Sequence, residues 1–523
     1  MALPVMSQID AAQYIPMFAA GAGANLAAYG SSDYENTDRI SRYLEYWRFY
    51  KGRHWSYDRA AETGEPTVTI NYSAALADRQ NSFLMKNGFD ITLPDLPQTV
   101  QDDSIDRMFI KNVLDETWQA NHKVVFNFEL AQCGGVTGDA FLYFSWQDRD
   151  PLSDPYVQVD ILPSHYCFPT LGGPYGRDRK YVEAFTIVFP VYRARRDRFG
   201  RSQRGNAQEL VMRSEVWTAT TRTVYEGKDV VQGPDPNPFG EIPIVHIPNF
   251  PVSGDYYGLS DLVNIVSLQQ ELNEKCTDVS DIINYHSAPL NVFTGAQPNQ
   301  LQGGTNRMWF LPAGATHTLA ELRGDLAANL EYIKFIRQCI FEMANTPESA
   351  LGHSEAKQQQ QAAASQSMEY LPLVDRRAVK VQLYGDGLML ANRMILKIKE
   401  IMDPAFRTQM DATGLTGAAR YRTGIVFSEA FGRNEDLELS RTQQKLTMGL
   451  TTRERALRDL GHGEADAKKI VAEALAEKRA DAEMQLSMAT AQKEASGNPN
   501  PQRPNPNVQS EHRSTTVEKK ATS

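Results

Sequence analysis

The chain has 523 residues, 41% of them hydrophobic and 10% aromatic, with a formal net charge of −10, and that length exceeds one ordinary core, so two to four packed modules are expected. No stretch approaches the ~20 uninterrupted apolar residues of a bilayer helix, and the small-residue run Phe18 to Ala28 lacks the basic start and apolar core of a secretory signal, so an intracellular chain without a membrane segment is expected. The acidic balance opposes tight, sequence-independent duplex binding, which draws on clustered Lys and Arg neutralising phosphates; if DNA is a partner, it is not gripped.

In chain order, Ile40, Tyr43, Leu44, Trp47 and Tyr50 recur at helical spacing behind Asn36 or Thr37 as cap, predicting an amphipathic helix over 36–50. After the break at Gly52, the β-branched run Thr67-Val68-Thr69-Ile70 predicts a short strand. A helix over 72–86 follows, stopped by Gly88 in the left-handed conformation, then a strand over 89–93 and a helix over 105–118. From about 140 to 247 the pattern turns to β, with strands at 140–144, 156–161, 181–189, 211–217 and 242–247. Turn signals separate them: Gly172-Gly173-Pro174, the arginine-rich stretch Arg193 to Arg204, which reads as a solvated connector, and the Gly- and Pro-rich stretch Gly233 to Gly240.

Beyond this the chain is helical again. Ile265, Leu268, Leu272, Cys276, Val279 and Ile283 recur at steps of three and four over 258–286, with Ser260 and Asp261 suited to the start; at ~1.5 Å per residue such a helix spans roughly 43 Å. Short strands near 290–293 and 308–311 precede a helix over 325–344 closed by Pro347. The polar segment Gly352 to Met368 has almost no aliphatic residue to anchor it in a core. A long helix over 369–402 carries Pro372 near its start. Thr451 and Glu454 have capping-box spacing, two helices follow around Gly461-His462-Gly463, and the Pro- and Asn-rich stretch from Ser496 onward reads as a disordered tail.

Catalytic motifs are absent from the sequence. Gly200 to Gly205 has phosphate-loop spacing, but Asn206 stands where the lysine must be. Gly21 and Gly23 lack the third glycine of a dinucleotide fingerprint, His462-Gly463-Glu464 has no cysteine pair downstream, and Asp148-Arg149-Asp150 runs into Pro151 and Leu152 instead of further calcium ligands. Cys133, Cys167, Cys276 and Cys339 are scattered with no CxxC pair, so they read as buried free thiols, with no metal or cofactor expected.

The order of these elements resembles that of tailed-bacteriophage portal proteins. The stretch Tyr50 to Trp55, then Pro66 to Asn71 and the helix ending NSFLMKNG, is similar to the family's amino-terminal pattern. Residues Asn237 to Asn249 lead into GLSDLVNIVSLQQELNEKCTDVSDII as the family's clip leads into its stem helix, and Glu342 to Gly352 and Gly449 to Gly461 also have portal counterparts. The likeness covers about 36–480, and one departure stands at His353 to Gln361, where the family often has a small segment with serine and glycine.

The resemblance implies an α+β, mainly helical portal fold with wing, stem, clip and crown regions, forming a ring of twelve copies. The expected division is an amino-terminal arm (1–35), a wing (36–200), the clip and adjoining β-rich region (201–257), the stem helix (258–290), a wing return with tunnel helix and tunnel loop (291–402), crown helices (403–495) and the tail (496–523). Candidate clip and terminase-docking residues are Asn237, Pro238, Phe239, Gly240 and Glu241, as a rigid, exposed Pro-rich loop. Candidate channel-lining residues are Lys357, Gln358, Gln359, Gln360 and Gln361, whose other reading is an ordinary solvated helix surface. Candidate stem contacts are Ile265, Leu268, Leu272 and Val279, whose stripe needs neighbours either inside one subunit or from identical copies in a cyclic array.

The implied function is passage of double-stranded DNA during packaging and ejection at one capsid vertex of the virion, with assembly in the host cytoplasm. The implied partners are the major capsid protein, scaffolding protein, terminase large subunit and head-to-tail adaptor. A head-completion adaptor and a nucleic-acid-processing enzyme are the alternatives.

Overall fold

The computed structural model describes residues 33–55, 66–86, 88–94, 107–148, 155–172, 181–194, 208–287, 290–294, 314, 316–320, 326–352, 368–428, 442–459 and 464–495. The chain divides into two units, 1–430 and 431–523. Lys357 to Gln361 and the stretches 496–523 and 308–311 lie outside the described residues.

The first unit is α+β. Its first helix, α1 (Asp33–Tyr50), starts before the expected cap; Thr37 lies inside it, its carbonyl accepting from the Ser41 hydroxyl at 2.8 Å. The next, α2 (Tyr72–Met85), is capped by Asn71, whose Oδ1 accepts from the Ala74 amide. Strand β1 (Phe89–Thr92), helix α3 (Met108–Ala120) and helix α4 (Lys123–Thr137) follow. Helix α4 has no counterpart in the sequence reading. It is apolar on several sides and carries Gly134-Gly135 near its end, a composition that blurs helical periodicity.

Two antiparallel sheets come next. Strands β2 (Asp139–Gln147), β3 (Tyr156–Leu162) and β9 (Ile244–Pro248) pair in the order β3-β2-β9. Strands β4 (Cys167–Leu171), β5 (Val182–Ala194), β6 (Gln208–Thr218), β7 (Thr221–Glu226) and β8 (Asp229–Pro236) form the second sheet in sequence order. Strand β8 runs into the stretch expected to be a turn. It can do so because it is an edge strand, where a proline's missing N–H removes no ladder bond.

Helix α5 (Val266–Ser287), a two-stranded hairpin of β10 (Leu290–Thr294) and β11 (Thr316–Ala320), and helix α6 (Leu326–Met343) form one continuous excursion. Because β10 follows α5 directly and Leu290 pairs with Ala320 just ahead of α6, the helices run antiparallel with the hairpin at their shared end.

Helix α7 (Leu371–Met402) takes Pro372 in its first turn, where the fixed φ and missing donor cost nothing. Its buried face (Tyr384, Leu388, Ala391, Ile395, Ile398) forms the main core with α2, α3, α4, β2, β3 and β9. Gly387 lets it approach β9 closely, since a Cβ there would lie 2.5 Å from Ile247. Within this core the indole of Trp118, fully buried, donates to Asn392 Oδ1 at 2.8 Å, as a buried tryptophan requires.

Helix α8 (Pro404–Ala412) and strand β12 (Gly424–Phe427), within the stretch expected as crown helices, lie in the first unit. Phe406 and Met410 belong to the main core and β12 pairs with β1, so this stretch is part of the first unit.

In the second unit, α9 (Arg453–Asp459) is followed by α10 (Glu464–Ala495). The cap of α9 is Thr452, whose Oγ1 accepts from the Arg455 amide at 3.3 Å. The capping box expected of Thr451 and Glu454 is therefore replaced by a single hydroxyl cap one residue later, with Arg455 where a box needs Glu or Gln.

The run Pro66 to Asn71 is extended but joins no sheet. Its amides are received by side chains of α5: Tyr72 N donates to Gln269 Oε1 at 3.0 Å, Ile70 N to Asn273 Oδ1 at 3.0 Å and Val68 N to Thr277 Oγ1 at 3.1 Å. Gln269 returns a bond from Nε2 to Ile70 O at 2.7 Å. Side chains at i, i+4 and i+8 thus stand in for a neighbouring strand, giving protein partners to backbone donors of a part-exposed segment.

Candidate functional site

The passage from β9 into α5 holds the densest buried polar structure in the first unit. After β9 the chain reaches Asn249, turns through Gly258, Leu259, Ser260 and Asp261, and enters α5 later than its periodicity suggests. The delay has a local cause: Asp261 does not cap the helix but turns its carboxylate inward. Lys380 Nζ donates to Oδ2 at 2.5 Å, Arg376 to Oδ1 at 3.0 Å and Asn249 Nδ2 to Oδ1 at 2.9 Å, while the Asp261 amide donates to Gly135 O at 2.9 Å. Ser260 supplies the turn, donating to Val136 O at 2.6 Å and accepting from the Leu262 amide at 3.0 Å. Gly135 makes room, since a Cβ there would sit 2.7 Å from Asn81 Oδ1 and 2.9 Å from Asp261 Oδ2. One carboxylate therefore ties α4, β9, the start of α5 and α7 together.

Burial pushes the Asp261 carboxyl up, but Lys380, Arg376 and Asn249 together outweigh it and hold the group below its ordinary value. Its stabilisation is therefore present above the ordinary carboxylate pKa of about 4 and is lost as the pH falls through the lower folded value. Acid titration followed by tryptophan fluorescence is expected to show stability flat through neutral pH and declining below about pH 4.

A second carboxylate, Asp139, is fully buried beside the first. Tyr43 donates to it at 2.5 Å, the Gly258 amide at 2.8 Å, and His246 Nε2 lies 2.7 Å away. The His246 ring is stacked between Phe141 and Tyr256, with centroids 4.6 and 4.4 Å apart. The Arg39 guanidinium lies 4.4 Å from the Tyr257 ring centroid and donates to the carbonyls of Ser164 and Cys167; burial pushes the Tyr257 hydroxyl up to about 12. With Asp139, Arg39 and Tyr43 buried and His246 and Tyr257 partly covered, these groups join α1, β2, β9 and the 255–258 turn.

The candidate clip residues are placed differently from the exposed loop expected. Asn237 and Phe239 are buried, Phe239 within the main core. Asn237 Nδ2 donates to Thr218 O and Glu241 O, its Oδ1 accepts from the Phe239 amide, and Glu241 pairs with Arg393 at 2.6 Å and Lys397 at 3.1 Å on α7. Pro238 and Gly240 are exposed. The segment is a strut between the five-stranded sheet and α7, held in place by the phenylalanine that it buries.

The candidate stem contacts are also largely covered inside the chain. Ile265, Leu272 and Val279 are buried and Leu268 is half-buried, with Ile265, Leu268 and Leu272 packed among Leu76, Ile336, Ile340 and Phe341. What stays exposed on this helical pair is the last residue of that stripe, Ile283 on α5, together with Leu330, Tyr332, Phe335 and Met343 on α6. Of the thiols, Cys133 and Cys167 are buried while Cys276 and Cys339 are half-buried. Among the described residues no cluster of histidine, cysteine or acidic side chains could hold a metal ion, and no helix is long and apolar enough to cross a membrane.

A family model described as phage portal protein, SPP1 Gp6-like, matches residues 30–483. No individual curated protein matches the chain.

Proposed function

The chain belongs to the SPP1 Gp6-like phage portal protein family, a family of structural proteins of the virion capsid, and from that premise we propose that its copies close into a ring around an axial channel through which double-stranded DNA enters and leaves the capsid. The observation that carries this reading is the family match across nearly the whole chain, joined to the excursion α5–β10–β11–α6. Two antiparallel helices bearing an isolated β-hairpin at their far end suit a stem with a clip at its tip. The clip role accordingly moves from Asn237–Glu241 to the 290–320 hairpin, and with it the docking of terminase and, later, of the head-to-tail adaptor. The sheets and α1 to α4 correspond to a wing, and the second unit to a crown.

The subunit contacts of such a ring draw on the apolar residues the chain leaves uncovered, Tyr332, Phe335 and Met343 on α6, since Ile265 and Leu272 already serve the subunit's own core. On α5, Gln270, Glu274, Asp278 and Asp281 share the face away from that core. Acidic and amide side chains there would let phosphates slide past, because counterion release, the source of salt-sensitive grip, requires cations.

Electron microscopy and native mass spectrometry of the purified protein are expected to show a ring with an axial hole. Phe335→Glu, at a position 60% exposed, is expected to shift the ring to smaller, folded species. A monodisperse wild-type monomer at every salt concentration would overturn the reading.

A further inference from the structure

The three-stranded and five-stranded sheets of the first unit meet at one end and part at the other. At the closed end Phe141 packs on Phe185 and Tyr143 on Trp217, with centroids 5.6 and 6.0 Å apart. Away from it, β2 and β3 diverge from β5, β6 and β7 around a cleft of about 1220 Å³, bounded on its third side by the start of α4. Facing sheets ordinarily fill such a space with interdigitating apolar side chains. Here Gln158 and Asp160 look across at Arg213, Glu215 and Arg222, and aromatic rings, Trp146, Tyr156 and Phe189, line the walls between them.

The charges of this cleft are unevenly matched. Both arginines are engaged within their own wall: Arg222 lies 2.8 Å from Glu215, and Arg213 lies 3.6 Å from Glu215 and 3.8 Å from Glu226. Asp160, by contrast, receives its hydrogen bond from the neutral amide of Gln158 at 2.7 Å, and Glu129 on α4 is exposed at the rim. Two carboxylates thus face the space without a cation beside them in any described contact.

The rim is built with care. Asn121 clamps the outer edge of β3, donating to Val157 O and accepting from the Val159 amide, both at 2.8 Å. The next residue, His122, holds φ at +54°, a left-handed conformation in the turn between α3 and α4 that persists only where the surroundings enforce it. Beyond it Val124, Val125 and Phe128 form an apolar shoulder, Val124 83% exposed.

We infer that this cleft binds an extended, positively charged peptide segment of a partner protein, its Lys or Arg side chains reaching Glu129 and Asp160 and its apolar side chains lying on Val125, Phe128 and the aromatic walls. An aromatic surface next to a carboxylate suits a cationic side chain on both counts. A nucleic acid is disfavoured, because its phosphates would meet the same carboxylates. With the β3 edge already occupied by Asn121 around Val157 and Val159, the segment lies between the sheets and does not extend one.

Binding in the cleft does not depend on the ring. Its test is fluorescence anisotropy with a labelled decapeptide of alternating lysine and leucine, and a glutamate–leucine decapeptide as control. The wild-type protein is expected to bind the cationic peptide and not the anionic one. The double variant Glu129→Lys/Asp160→Lys is expected to bind about tenfold more weakly or less, because close charge pairs are replaced by like charges. Glu331→Lys/Glu342→Lys on α6, which changes the net charge equally at a distance, is expected to leave affinity unchanged. Equal weakening in both double variants, or no binding by the wild type, overturns the inference. Binding by dissociated subunits that vanishes in the ring would assign the cleft to a neighbouring copy and overturn it too.

Discussion

Gly138→Ala is expected to be among the most damaging single-methyl changes this protein can suffer. Gly138 ends α4 at φ +94°, and a Cβ there would lie 2.7 Å from Gly258 O, Leu259 C and Ser260 N. These are backbone atoms with little freedom to retreat: the Gly258 amide is bonded to buried Asp139, the Leu259 amide to Phe250 O, and Gly138 O itself accepts from the Asn249 amide at 2.8 Å. The left-handed conformation costs a residue with a side chain about 1–2 kcal/mol, and forcing a methyl into a packed site adds about 1–3 kcal/mol. Against a total stability of about 5–15 kcal/mol, the midpoint of urea unfolding should fall sharply. Gly254→Ala is the control. Its φ is +81° with nothing within 4 Å of the added carbon, so only the conformational cost remains. Equal losses at the two positions would show that the close approach of the 138 and 258 backbones is unimportant.

Lys380→Met is expected to destabilise the fold by about 3–5 kcal/mol, the usual result of removing one partner from a buried ion pair. The methionine fills the space of the lysine stem, so the loss comes from leaving Asp261, 1% exposed at its side chain, with Arg376 alone as cation. Combining it with Asp261→Asn removes the stranded charge and is expected to restore part of the loss, because an amide can keep the bonds from Asn249 and Arg376. Urea unfolding of the two single variants and the double variant closes a thermodynamic cycle. A coupling near zero would mean that the lysine serves only to fill volume.

Much of the helical architecture is legible in the residues. The stripes on α1 and α6, the Asn71 region as the start of α2 and Pro372 as the opening of α7 rest on local spacing and capping chemistry, which survive folding unaltered. The same holds for the strand runs in β2, β3, β5, β6 and β9, whose Val, Ile, Phe and Tyr residues fit a pleated surface. What spacing misses depends on partners distant in sequence. Helix α4 hides its period because Gly134 and Gly135 serve contacts with Tyr384, Asn81 and Asp261. The start of α5 slips because Asp261 answers to Lys380 and Arg376, more than a hundred positions away. Phe239 reads as part of an exposed loop because nothing near it in sequence announces the core it enters. The stripe of Ile265 and Leu272 is real, but spacing alone cannot say whether its neighbour belongs to the same chain or to another.

The three amides handed from residues 68, 70 and 72 to Thr277, Asn273 and Gln269 set two rulers side by side. Two residues of extended chain advance about 6.6 Å, whereas four residues of helix rise about 6.0 Å, so the graduations drift apart by about 0.6 Å at every rung. Over three rungs the drift stays within what flexible side chains absorb, and the next rung upstream would fall on Pro66, which has no N–H to give. A single residue inserted between Val68 and Tyr72 would hand Thr277 the amide of a neighbouring residue in place of that of Val68, so the backbone bond is regained while every side chain upstream changes face.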